Sequence, residues 1–229
     1  MDAVVTTLDC RELGVTAVNR ALRALPEGSE AVVTEARGAH NIGVGLMTHL
    51  TITVEGNTGY YLGGLCDGPD FTVNGSVGWG VGENLMSGTI VVNGNASESA
   101  GASAHGGLIV INGDASLRAG ISLKGGTLAI AGSVGNMSAF MAQAGTILVG
   151  GDSGDSLGDS LYEAVVYVSG KVGSRGADAT IAELTDEDVR AVQEIASAAG
   201  FDHVDAQNVT KVASAKQLYN FDALKNQRY

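Results

Sequence analysis

Proline and cysteine occur twice each in this 229-residue chain, aromatic residues make up 5% of it, and Lys plus Arg total 13 against 25 Asp plus Glu. Each shortage closes off a class of protein. Two cysteines, Cys10 and Cys66, build no disulfide framework and cannot supply the four thiolates of an iron–sulfur or structural zinc site. The near-absence of proline, with glycines that do not recur every third residue, excludes collagen. A formal charge of −12 leaves no counterion-release drive toward DNA, RNA or anionic lipid, so neither nucleic acid nor a membrane surface is an expected partner. No apolar run approaches the roughly 18 residues that a spanning helix needs. The opening Met1-Asp-Ala-Val-Val lacks a basic region followed by an apolar stretch, so the expected location is cytoplasmic. The four Asn-x-Ser/Thr triplets, at Asn74, Asn95, Asn136 and Asn208, then read as chance composition.

Glycine is what the chain has in excess. Its 34 glycines are about twice the ordinary share of ~7%, while 45% hydrophobic residues rule out a disordered low-complexity chain. The glycines are periodic. Gly56, Gly75, Gly94, Gly113, Gly132, Gly151 and Gly170 stand 19 residues apart without a slip. Two positions before each is a β-branched residue (Val54, Val73, Val92, Ile111, Ile130, Val149, Val168), and four before is an apolar one (Ile52, Phe71, Ile90, Ile109, Leu128, Ile147, Val166). That alternation is the period-2 signature of a strand with one buried face. Small residues recur seven positions after each glycine (Gly63, Gly82, Gly101, Gly120, Ala139, Gly158, Ala177), and mostly apolar ones ten after (Cys66, Leu85, Ala104, Leu123, Ala142, Leu161).

A fixed period of this length, with a strand in each unit, predicts an all-β chain: a single-stranded right-handed parallel β-helix of about seven 19-residue coils. Each coil is expected to hold about three short strands separated by tight bends. Glycine marks the places where φ turns positive or neighbouring coils come close. Asn74, Asn93 and Asn112 share one place in successive coils and predict an asparagine ladder.

The ends of such a stack are open strand edges, which proteins cover. Residues 1–37 read as an N-terminal cap, with an amphipathic helix near Val15 to Leu25 and a strand over Ala31 to Ala36. Residues 38–180 form the β-helix, entered through an irregular turn at Gly43 and Gly45. Residues 181–229 form a C-terminal helix and tail. Thr185-Asp-Glu-Asp opens that helix with a Thr cap and first-turn acids, and Gly200 ends it. The tail carries Phe201, Leu218, Tyr219 and Phe221 and is expected to pack along the outside or onto a partner.

Chemistry-bearing patterns are sparse. Gly78-Trp-Gly-Val-Gly82 is a glycine-rich stretch, but it lies mid-repeat with no helix after it to receive a phosphate. Gly150 to Asp159 resembles one turn of a calcium-binding β-roll, yet it occurs once, in the wrong period. His40, His49, His105 and His203 are scattered without metal-ligand spacing. No catalytic, cofactor-binding or metal residue is therefore expected. What remains is a side surface outside the inward columns, including Tyr60, Tyr61, Trp79, Arg118, Met137, Gln143 and Tyr162, where Met and aromatic residues at bends suit a protein contact. Phe140 and Met141 are read either as part of that surface or as filling the interior beside the small Ala139 and Ala142.

Several of these units resemble the GXGXG domain, the C-terminal β-helix of the glutamate synthase large subunit. They are Gly80-Val-Gly-Glu-Asn-Leu-Met-Ser-Gly88, Ala100-Gly-Ala-Ser-Ala-His-Gly-Gly-Leu108, Ile121-Ser-Leu-Lys-Gly-Gly126, Gly132-Ser-Val-Gly-Asn-Met-Ser-Ala-Phe-Met-Ala-Gln-Ala-Gly145 and Gly158-Asp-Ser-Leu-Tyr-Glu-Ala164. The chain is most similar to stand-alone forms of the domain, of the kind found as the B subunit of N-methylglutamate synthase (methylamine–glutamate N-methyltransferase). The resemblance implies a structural subunit without cofactor, bridging a class II amidotransferase-like subunit and a barrel subunit that holds FMN and an iron–sulfur cluster. The joint reaction it implies is methylamine plus L-glutamate giving N-methyl-L-glutamate and ammonia. The expected partner interface is Glu83, Asn84, Met86, His105, Lys124, Asn136, Phe140, Met141 and Asp159. A related β-helix in formylmethanofuran dehydrogenase fits the Met-Ser-Ala-Phe-Met block less well. A β-helix hydrolase or lyase is the alternative from the enzyme class.

Overall fold

A computed structural model of the chain describes residues 5–216. One sheet of strands runs the length of the molecule: β1 (Thr6–Asp9), β2 (Glu30–Thr34), β3 (Thr51–Glu55), β4 (Asp67–Asn74), β5 (Ser87–Val92), β6 (Leu108–Ile111), β7 (Lys124–Ile130), β8 (Ala144–Val149), β9 (Val165–Val168), β10 (Ala179–Ala182) and β11 (Thr210–Ser214). Neighbours from β1 to β9 pair in sequence order and in parallel, one strand per coil, as a β-helix requires. Both apolar columns stack in register: Ile52, Phe71, Ile90, Ile109, Leu128, Ile147 and Val166 in one line, Val54 to Val168 in the other. All of these residues are buried, with the ten-after column facing them across the interior.

The rest of each coil differs from the expected two further strands. The second wall is a single parallel bridge per coil (Val77, Ala96, Ala115, Val134, Ser153, Val172). The third alternates residues in the left-handed region. Tyr61, Gly63 and Leu65 have φ of 60°, 62° and 57°, and Met137, Ala139 and Met141 have 58°, 59° and 53° in an equivalent coil. The alternation turns successive amides to opposite neighbours. Tyr61 N–H donates to Trp79 O at 2.7 Å on the following coil, and Gly63 N–H to Ile42 O at 3.0 Å on the preceding one. The backbone is thus satisfied between coils without β geometry.

Of the seven periodic glycines only Gly56 has a positive φ. The other six are required by close approach. A Cβ on Gly75 would lie 2.5 Å from Gly56 C and 2.6 Å from Gly56 O, and Gly94 to Gly170 each meet the preceding glycine's backbone in the same way. The asparagine ladder forms, Asn93 donating to Asn74 at 2.9 Å and Asn112 to Asn93 at 2.8 Å, with Asn74 donating to Glu55. A second ladder accompanies it one residue after the periodic glycine. Side-chain oxygens of Asn57, Ser76, Asn95, Asp114, Ser133 and Asp152 each accept the backbone N–H 19 residues on. Asp152, in the stretch that resembled a calcium turn, is a member of this ladder.

Both ends are covered. Helix α1 (Cys10–Leu13) leads into α2 (Val15–Ala24), which buries Val18 and Leu22 against the first coil. Asn19 clamps it there, donating to Asn41 O at 2.7 Å and accepting from Gly43 N at 2.8 Å. Gly43 and Gly45 belong to a regular first coil rather than an irregular turn, since Gly45 N–H donates to Gly64 O as its later counterparts do. At the other end α3 (Asp186–Ala199) starts on a Thr185 capping box and stops at a left-handed Gly200. It lies over the outer face of β6–β9, where Val192, Ala196, Phe201 and Val209 pack on Val110, Ala129, Leu148 and Tyr167. β11 then inserts antiparallel between β9 and β10 and ends the parallel run. Leu218, Tyr219 and Phe221 lie outside the described residues. Among the described residues no helix is long and apolar enough to cross a membrane.

Candidate functional site

The stacking register decides which side chains meet. Met86, His105 and Lys124 are successive members of one column where the chain enters the sheet strands, all three exposed, and each backbone N–H donates at 2.8 Å to the preceding coil. Coils stand about 4.8 Å apart, so a thioether, an imidazole and an ammonium form a short line along the axis. Glu83, Phe140 and Asp159 share a second column, Asn84 and Met141 the one beside it. Phe140, Met141 and Asp159 fall on two adjacent coils, with Met141 N–H donating to Asp159 O at 2.9 Å. Glu83 and Asn84 are three coils away. Phe140 is half-buried and Met141 is 37% exposed, so neither belongs to the interior, which settles the two readings in favour of the surface. Asn136 sits at another corner, where its side-chain oxygen accepts Asp155 N–H at 2.8 Å and clamps two coils together. The nine residues therefore do not form one site: Met86, His105 and Lys124 make one set, Phe140, Met141 and Asp159 another, Glu83 and Asn84 a third, and Asn136 is the outlier.

The sequence pattern missed a feature at the outlier's corner. In the same column as Asn136, the first three coils carry His40, Tyr60 and Trp79. Their rings stack, with centroids 4.3 Å and 5.3 Å apart and interplanar angles of 20° and 24°. His40 Nδ1 accepts Tyr60 N–H at 2.9 Å, which places the ring proton on Nε2. The facing sides of the rings cover one another, and Trp79 at the end of the stack stays 46% exposed. The signal was available: the spacing from 40 to 60 to 79 follows the coils, but the first coil's extra residue takes His40 out of the 19-residue frame.

Beside this stack, the left-handed wall of the first coils encloses a cleft of about 260 Å³ lined by Asn41, Val44, Tyr61, Gly64, Leu65, Glu83 and Asn84. Tyr60, Tyr61, Leu65, Trp79 and Met86 all stay at least 42% exposed around it, an unusual share of a chain so poor in aromatic residues. Most were on the expected surface; Leu65 was not. Among the described residues no three His, Cys, Asp or Glu side chains gather where they could hold a metal ion.

The two thiols sit within the fold. Cys66 donates Sγ–H to Gly43 O at 2.9 Å, and burial pushes its pKa up to about 11; burial also raises that of Cys10. The thiolate is the reactive form. In the native protein at pH 8 both thiols are expected to resist a colorimetric thiol reagent and to react only on unfolding in denaturant. Rapid native labelling of Cys66 would contradict this burial.

Over 67 residues the chain is 44% identical to Protein GlxC of Rhizobium meliloti (strain 1021). That match covers 29% of this chain and 29% of the relative. No protein-family model matches the sequence, and no solved structure matches it.

Proposed function

We propose that this chain is a non-catalytic structural subunit of a glutamate-synthase-like complex of the N-methylglutamate synthase kind. It bridges an amidotransferase-like subunit and a barrel subunit that carries FMN and an iron–sulfur cluster. The observation that carries the docking role is the exposed band of Tyr60, Tyr61, Leu65, Trp79 and Met86, fixed on a backbone whose every coil is hydrogen-bonded to the next. Large apolar and aromatic side chains held rigidly at the surface are the material of protein interfaces. The GXGXG resemblance and the local similarity to Protein GlxC support the choice of complex.

In this reading the chain moves no proton and forms no bond. Its contribution is geometric: a stack of coils holds two partners at a set separation, so that an intermediate made on one reaches the other. In this reading the cluster and flavin are carried by the barrel partner; two separate buried cysteines here are too few for the four thiolates of an iron–sulfur cluster.

Co-expression with the two partners tests this. The tagged chain is expected to retain both, and the assembled complex, not the isolated chain, to form N-methylglutamate from methylamine and glutamate. A monodisperse chain with no affinity for either partner, or turnover by the chain alone, overturns the proposal.

A further inference from the structure

We infer that the cleft between the first coils is a socket for one lysine or arginine side chain presented by a protein partner. This inference rests on the docking reading above and names the anchor of one contact. The cleft's volume of about 260 Å³ falls below the roughly 300–1,000 Å³ of sites that engulf a free small molecule. A single inserted side chain suits that size; a nucleotide or flavin does not.

The lining divides as a long cationic side chain requires. Val44, Leu65 and the Tyr61 ring supply apolar wall for the methylenes, and Glu83, Asn41 and Asn84 supply polar atoms for the head. The Glu83 carboxylate is free to take it: among the described residues it makes no ion pair or hydrogen bond, and no cationic residue lines the cleft. Arg23 comes to the same coil but is committed to Val44 O at 2.6 Å. Gly80, with φ +66°, brings the two recognition elements together. A Cβ there would lie 2.8 Å from the Tyr61 ring and 2.9 Å from Glu83 Oε2, so ring and carboxylate converge over a residue that has no side chain. An aromatic face next to a carboxylate attracts a cation through both quadrupole and charge. The chain's net charge of −12 favours approach of a basic partner to the molecule as a whole.

The test is a 1H–15N titration of the full chain with Nα-acetyl-lysine methylamide, set against the uncharged Nα-acetyl-norleucine methylamide. Saturable shifts are expected at the amides of Gly64, Leu65 and Asn84, with binding at least about tenfold weaker for the norleucine compound and for Glu83→Gln. Equal response to both compounds, no saturation with the lysine compound, or an unchanged response in Glu83→Gln overturns the socket. Retention of partners on tagged wild-type and Glu83→Gln chains separates this inference from the docking reading. Partners held equally by both leave the docking reading standing and remove the socket. Partners held by neither remove the docking reading, and the titration alone then decides the socket.

Discussion

Gly75→Ala is expected to destabilise the chain by about 3 kcal/mol, the upper end for forcing one methyl into a close-packed site, and to lower Tm by roughly 6–12 °C for a chain of this size. The reason is the neighbour. The added Cβ would lie 2.5 Å and 2.6 Å from Gly56 C and O and 2.8 Å from Asn57 N, all backbone atoms of the preceding coil. Backbone locked in a ladder cannot swing aside as a side chain does, so the coils of Gly56 and Gly75 must part locally. Because each coil is held chiefly by its neighbours, the loss falls on that one interface. Gly28→Ala is the control: its φ is +79° but nothing lies within 4 Å of the added Cβ. That change carries only the left-handed strain of roughly 1–2 kcal/mol. Thermal unfolding followed by circular dichroism reads both. Gly75→Ala melting within a degree of wild type, or above Gly28→Ala, would show that close approach between coils does not select glycine at the periodic positions.

The contrast explains which parts of the fold were legible. The spacing of Gly56 to Gly170 carried the coil length, and the Val/Ile columns two and four residues before carried the register, because a strand with one buried face must alternate and stacked coils must repeat. The capping box at Thr185 and the stop at Gly200 were legible for the same local reason. The left-handed wall was not. Its positions hold Tyr61, Leu65, Arg118 and Met141, residues that rarely adopt positive φ, and only hydrogen bonds to the coils on both sides keep them there. The covering of the outer sheet face was partly legible: three residues before the periodic glycine, Thr53 and Thr72 give way to Val110, Ala129, Leu148 and Tyr167, the stretch over which α3 lies. The cleft depended on Tyr61 and Glu83 meeting over Gly80, a contact between coils that no repeat pattern in one dimension displays.

Asp188→Ala is expected to release the C-terminal cap at a cost of about 3–5 kcal/mol, the range for removing one partner of a buried ion pair. Asp188 is the node where helix, strand and coil meet. Its Oδ1 accepts from the Tyr167 hydroxyl at 2.6 Å, and its Oδ2 accepts from Lys211 Nζ at 2.8 Å and from Thr185 N and Oγ1 at 2.8 Å and 2.7 Å. Alanine leaves an ammonium and a phenol under α3 without their acceptor and removes half of the capping box. Asp188→Asn keeps one carbonyl oxygen, which can stand in for Oδ2 toward Thr185 and Lys211 while its NH2 faces the Tyr167 oxygen, and should lose less than alanine. Protonation gives the same result without mutation. Burial on its own would raise the Asp188 pKa, but Lys211, Tyr167 and Thr185 outweigh it and hold the carboxyl well below its ordinary 3.8. A folded pKa below the unfolded one gives stability that is complete above the ordinary value and lost as pH falls beneath it. Tyr167 works in the opposite sense: burial, then its bond to Asp188, raises its pKa above the ordinary 10.0, so its contribution is complete below pH 10 and fades above it. The cap should therefore loosen at both extremes while β3–β5, which this network does not touch, stay closed. Hydrogen exchange resolved along the chain reads this directly. Amides of α3 and β11 are expected to lose protection in Asp188→Ala, and in wild type below pH 3.8, ahead of the strands of the first coils. Uniform loss of protection along the whole stack would mean that the cap and the coils unfold as one unit and that Asp188 holds no separate latch.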